Sequence, residues 1–80
     1  MTGVQLYPNP TAGLLTITWG TATTTRITVY SAAGKALIHD VATLTTHKVV
    51  NLSALPSGIY FVMLQDESGK TGAVRVTVAH

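Results

Sequence analysis

Eighty residues with a net charge of +2, 46% hydrophobic and 10% charged side chains and no cysteine leave room for one small domain. They exclude a disulfide framework, thiolate metal sites and the charge-rich composition of disordered chains. The basic residues Arg26, Lys35, Lys48, Lys70 and Arg75 are scattered, so the clustered footprint of a nucleic-acid binder is missing.

Taken in chain order, apolar and polar residues alternate between turn signals spaced roughly 8–12 residues apart, the pattern of a β-sandwich or barrel. Residues 4–7 open as a short strand, stopped by Pro8 and Pro10, which have no N–H to give to a ladder. Gly13 allows a bend into residues 14–19, where Leu15, Ile17 and Trp19 share one face. A small polar connection is expected over residues 20–24. The strand at residues 25–30 then turns Ile27 and Val29 to the same side, and Ser31-Ala32-Ala33-Gly34-Lys35 supplies a turn with a glycine for positive φ.

Residues 36–41 resume an extended pattern. After a loop at 43–46, residues 47–52 put Val49 and Val50 on opposite faces. Leu52-Ser53-Ala54-Leu55-Pro56-Ser57-Gly58 reads as a compact loop that tucks Leu52 and Leu55 under the sheet edge, with Gly58 in a conformation closed to other residues. Residues 59–65 are apolar on both faces, through Ile59, Phe61 and Met63 and through Tyr60, Val62 and Leu64, so this strand belongs in the middle of a sheet. Asp66-Glu67-Ser68-Gly69-Lys70 is a hairpin loop, and residues 71–78 return with Val74, Val76 and Val78 inward. The expectation is an all-β, immunoglobulin-like antiparallel sandwich of about seven strands in one domain, 1–80.

Catalysis has no footing in this string. His39, His47 and His80 have no spacing that aims two imidazoles at one metal ion, no Gly-x-Ser-x-Gly elbow occurs, and Asp66 and Glu67 are neighbours at a hairpin tip. Gly69-Lys70-Thr71 lacks the upstream glycine and following helix of a phosphate loop. No enzymatic activity and no cofactor are expected. No apolar run approaches the ~20 residues of a membrane-spanning helix. Met1-Thr2-Gly3 lacks the charged and apolar regions of a signal peptide, so one is expected on a longer secreted precursor from which this domain is excised.

Short motifs in fixed order remain: Tyr7-Pro8-Asn9-Pro10, then Gly34-Lys35, then Pro56, Gly58 and Tyr60 as Pro-x-Gly-x-Tyr, then Gly69-Lys70 and a valine-rich tail. From residue 6 to residue 80 this set resembles the C-terminal sorting domain, type A, of proteins exported by the type IX secretion system (the Por secretion family). The resemblance implies a secretion signal that carries an N-terminal cargo domain from the periplasm across the outer membrane of a Gram-negative bacterium. It also implies release into the medium or attachment at the cell surface after cleavage by a sortase-like cysteine peptidase. Implied partners are the type IX translocon and that peptidase, with no nucleic acid and no integral membrane segment. Arg75 falls where the family usually has a basic residue before its final valines.

The candidate contacts with the translocon are Lys70, Arg75, Val76 and Val78, reached by adding a strand to the C-terminal edge. The remaining motif residues are expected to be mainly structural. The alternative from another class is a fibronectin-like or carbohydrate-binding accessory module of an extracellular enzyme, which needs a platform of exposed rings.

Overall fold

A computed structural model describes residues 3–80; Met1 and Thr2 of the expected 1–80 domain lie outside the described residues. Five strands follow one another: β1 (Gln5–Tyr7), β2 (Leu14–Ser31), β3 (Ala36–Asn51), β4 (Gly58–Asp66) and β5 (Thr71–Val78). All pairings between them are antiparallel, in the order β1-β2-β4-β5, with β3 on the other side of β2. β2 is the spine of the molecule. Its first half pairs with β1, its second half with β4, and β3 runs along nearly its whole length.

The seven expected strands are therefore five, forming one sheet curled into a half-barrel. Two of the predicted connections are absent because the chain bends without leaving the ladder. The stretch at residues 20–24 is rich in threonine, whose branched Cβ favours extended backbone, and the turn reading of its small polar residues loses to that preference. Curvature is supplied by irregularities: the β2–β3 register shifts between Thr18 and Thr23 and again between Thr23 and Thr25, and bulges of this kind bend and twist a strand. Opposite the bend Leu44 sits at φ 47, an uncommon conformation for a leucine.

One inner face runs the whole length of β2. Leu15, Ile17, Ile27 and Val29 are fully buried there and Trp19 nearly so, and they meet Val50 and Leu52, Val62 and Leu64 of β4, and Val76 and Val78 of β5. Side chains alternate across a strand with period two. The same parity is kept on both sides of the bend, so the sheet closes on its own apolar face.

β3 leaves a long free edge, a template for unwanted pairing. Its inner-face positions Asp40 and Lys48 pair with Ile27 and Ile17 in register and form an ion pair with each other at 3.8 Å. Charges pointing inward on an edge strand oppose the addition of another chain. Among the described residues no helix is long and apolar enough to cross a membrane.

Candidate recognition surface at the C-terminal strand

Lys70, Arg75, Val76 and Val78 lie along β5 and the turn that leads into it, but they do not form one patch. Lys70 and Val78 stand at opposite ends of the strand, roughly 25 Å apart at ~3.3 Å per residue. Arg75 is exposed on the outer face, while Val76 and Val78 are 0% and 1% exposed in the core. Alternation decides this: the odd-numbered positions of β5 turn outward and the even-numbered ones inward, half-buried at Val74 and fully buried at Val76 and Val78. A partner that touches either valine must first pull the tail off the sheet.

The outer edge of β5 is also occupied. The amide side chain of Asn9 accepts a hydrogen bond from the Thr77 N–H at 3.1 Å and donates one to the Arg75 carbonyl at 3.2 Å. Next to it the Thr11 N–H donates to the Thr77 carbonyl and its own carbonyl accepts from the Ala79 N–H, both at 2.9 Å. Residues 9–11 thus lie on the last strand as a short parallel ribbon, with Thr11 bridged to Val78. Strand addition at this part of the edge requires displacing them.

This clamp explains the Tyr7-Pro8-Asn9-Pro10 motif. An asparagine between prolines keeps a peptide-like donor and acceptor in its side chain where the flanking prolines have lost their N–H groups. Tyr7-Pro8 and Asn9-Pro10 are cis. Thr11, buried, donates its hydroxyl to the Leu14 carbonyl at 2.7 Å and accepts the Gly13 N–H at 3.1 Å, which turns the chain into β2. Gly13 is needed for space, since a Cβ there would lie 3.0 Å from Ser53 Cβ. Asn9→Ala removes both side-chain bonds, each worth about 1 kcal/mol. We expect a loss of about 1–2 kcal/mol in urea titrations and faster amide exchange at Thr77; unchanged exchange there would refute the clamp.

The two Gly-Lys turns have one geometry. In each, the first residue's N–H donates to the lysine carbonyl, at 2.8 Å from Ser31 to Lys35 and at 2.9 Å from Asp66 to Lys70, and its carbonyl accepts from the glycine N–H. The glycines stand at φ 88 and 89, where a Cβ is strained. A side-chain oxygen of the first residue caps the lysine N–H: Ser31 Oγ at 3.1 Å, Asp66 Oδ1 at 2.9 Å. These turns sit at opposite ends of the sheet, so Lys35 and Lys70 are not neighbours.

Asp66 Oδ1 also accepts from the Ser68 hydroxyl at 2.6 Å and the Ser68 N–H at 3.0 Å. The Ser68 hydroxyl above all, then the backbone N–H donors and the Lys70 charge, hold its carboxyl below its ordinary 3.8. Because the folded-state value is depressed, the stabilisation is fully present above the unfolded value and disappears as pH falls through the folded one. Thermal melts between about pH 7 and about pH 2 should show the wild type losing more stability than Asp66→Asn. Parallel pH profiles for the two would contradict the cap.

Pro56, Gly58 and Tyr60 form a latch. The Tyr60 hydroxyl donates to the Pro56 carbonyl at 2.6 Å, with the ring buried. Gly58, expected in a conformation closed to other residues, is not among the positive-φ glycines; a Cβ there would meet only Tyr60 Cε2, at an ordinary 3.9 Å. Nothing in the structure requires glycine at this position. His80 fastens the chain end to the same loop, its N–H donating to Ser57 Oγ at 3.1 Å and its Nε2 lying 2.7 Å from the Leu55 carbonyl, a contact that requires a proton on Nε2.

Asn9, Thr11 and His80 act in ways the residue pattern does not show on its own. A signal for Asn9 was present: a lone amide between prolines next to a strand that needs an edge partner. The assembled unit joins the two ends of the chain through Asn9, Thr11 and β5, and it presents Lys35, Lys70 and Arg75 to solvent. A model of the secretion system C-terminal sorting domain family matches residues 5–78, a span from the start of β1 to the end of β5. None of the curated proteins matches the chain.

Proposed function

From the premise that this chain belongs to the family of secretion system C-terminal sorting domains, signals of type IX secretion rather than enzymes, we propose that it is read by the type IX machinery as a folded unit. The observation that carries this is the joining of Asn9 and Thr11 to β5, which makes the family motifs parts of one structure. Recognition then depends on the folded surface, with Lys70 and Arg75 as contacts, and Val76 and Val78 contribute by holding β5 in place. Cargo fused ahead of the domain crosses the outer membrane of a Gram-negative bacterium, after which a sortase-like cysteine peptidase removes the domain and leaves the cargo at the surface or in the medium. We also read the half-barrel as a merged form of the immunoglobulin-like sandwich, because each half of β2 pairs with a separate half of β3 across a register break.

The test is a reporter fused ahead of residues 1–80, expressed with a signal peptide in a bacterium whose type IX system is intact or disabled. Export past the outer membrane is expected in the intact strain alone. Retention in the periplasm of both strains would end this reading.

A further inference from the structure

β4 lies between β2 and β5, and it is apolar on both faces although only one is covered. Tyr60, Val62 and Leu64 fill the core, whereas Ile59, Phe61 and Met63 are 44%, 41% and 42% exposed on the outer face. The register sets Tyr30 and Arg75 on either side of Phe61, Thr28 and Ala73 beside Met63, and Arg26 beside Gln65. Neighbouring outward positions are mostly small, polar or cationic, so the sheet accepts such residues there. The outward row of β4 departs from them.

Each acidic side chain has a partner of its own. Asp40 is turned inward to Lys48, Asp66 caps the hairpin turn through Ser68 and Lys70, and Glu67 accepts the Thr23 hydroxyl. That accounts for every acidic side chain of the sequence. Arg26 and Arg75 border the apolar centre: Arg26 stands at the hairpin end, in a depression it shares with Asp66 and Glu67, while Arg75 lies beside Phe61 at the other end, away from the acidic side chains.

Resting on the sorting reading, we propose that this outer face, centred on Phe61 and Met63 and bordered by Arg26 and Arg75, docks on a protein of the secretion machinery. Its contact patch is apolar in the middle and carboxylate-bearing at the rim. A second copy of the chain is a poorer occupant, because its carboxylates on this side are confined to the hairpin tip, where Asp66 is already held by Ser68 and Lys70 and Glu67 by Thr23, and it offers none to Arg75 in return. Three strands ~4.8 Å apart and seven residues at ~3.3 Å each make a footprint of roughly 15 by 20 Å. At about 300 Å² per side this is smaller than a stable interface and falls among weak, transient contacts, which suits a complex that must release its cargo. Docking on a face leaves the clamped edge of β5 closed, so no strand has to be opened for recognition.

The reporter fusion carries the test, with the pair Phe61→Ser/Met63→Ser, the pair Arg26→Glu/Arg75→Glu, and Val49→Ser as a control on the outward side of the other half, where Val49 is 49% exposed. Each pair is expected to lower the exported fraction at least about tenfold, as loss of interface anchors does, while Val49→Ser exports like the parent. Thermal melts of the purified domains check that the variants fold. If the serine pair melts early, the arginine pair, which removes no core side chain, decides the matter.

Export at the parent level by the folded pairs would overturn the proposal. So would an equal loss in Val49→Ser, a purified dimer that the serine pair dissociates, or binding to a panel of soluble glycans that the serine pair abolishes. Retention of the unsubstituted fusion is a different failure: it overturns the sorting reading, and this proposal with it.

Discussion

Trp19→Ala is expected to remove most of the domain's stability. The side chain is 2% exposed in the middle of the inner face of β2, at the point where the spine begins to bend. Truncating a buried aromatic to alanine costs about 3–5 kcal/mol, because the cavity closes only in part. A domain of this size has roughly 4–12 kcal/mol in total, at ~0.05–0.15 kcal/mol per residue. Trp19→Phe should cost much less than the alanine change: it keeps most of the ring volume and deletes the indole N–H, which is buried and has no hydrogen-bond partner among the described residues. Urea titrations followed by far-ultraviolet circular dichroism give the comparison, since the only tryptophan is the residue replaced. An alanine variant within about 1 kcal/mol of the parent would mean that the bend does not depend on this ring.

Removing residues 74–80 is expected to abolish cooperative folding as well as export. The cut takes out Val76 and Val78 from the core, the backbone partners of Asn9 and Thr11, and the His80 fastening to the Leu55–Ser57 loop. It also strips most of one side of β4, leaving a central strand with an open edge. Two buried valines alone account for about 3–6 kcal/mol of burial at ~1.5–3 kcal/mol each. The truncated domain should show no sharp thermal transition, and a fusion bearing it should remain in the periplasm. Arg75→Glu alone separates the two causes of retention, because it changes the outer surface and leaves the core valines in place. A truncated domain that still melts cooperatively would show that β5 is an appendage.

The consequence for the sorting signal is that its last residues do two jobs at different levels. The valines and the backbone of β5 complete the fold, and the arginine faces outward. Loss of export on cutting the tail therefore says little about which side chains are read. The exposed row on β4 and its bordering arginines are separable from folding by substitution, which makes them the sharper probe of recognition.

Much of the inner face was legible from alternation. Spacing alone turns Leu15, Ile17, Trp19, Ile27, Val29, Val76 and Val78 inward, and the central place of β4 follows from its two apolar faces. Both Gly-Lys turns were readable because a positive-φ glycine two positions before a new strand has few other uses. The polar residues at 20–24 and 43–46, by contrast, read as breaks. A threonine-rich stretch is polar like a loop and extended like a strand, and only the partner strand opposite it settles which it becomes.

What the order of residues determined by itself is the local geometry: which side chains point to a common face and where the chain must reverse. Both follow from the two-residue period of a strand and from the backbone limits of proline and glycine. Tertiary structure alone decided that two pairs of expected strands are continuous, that an asparagine at residue 9 closes the edge of a strand 66–68 residues further on, and that the outer row of β4 is left bare. Those outcomes depend on contacts between distant segments, made only once the sheet has curled, and no period along the chain encodes them.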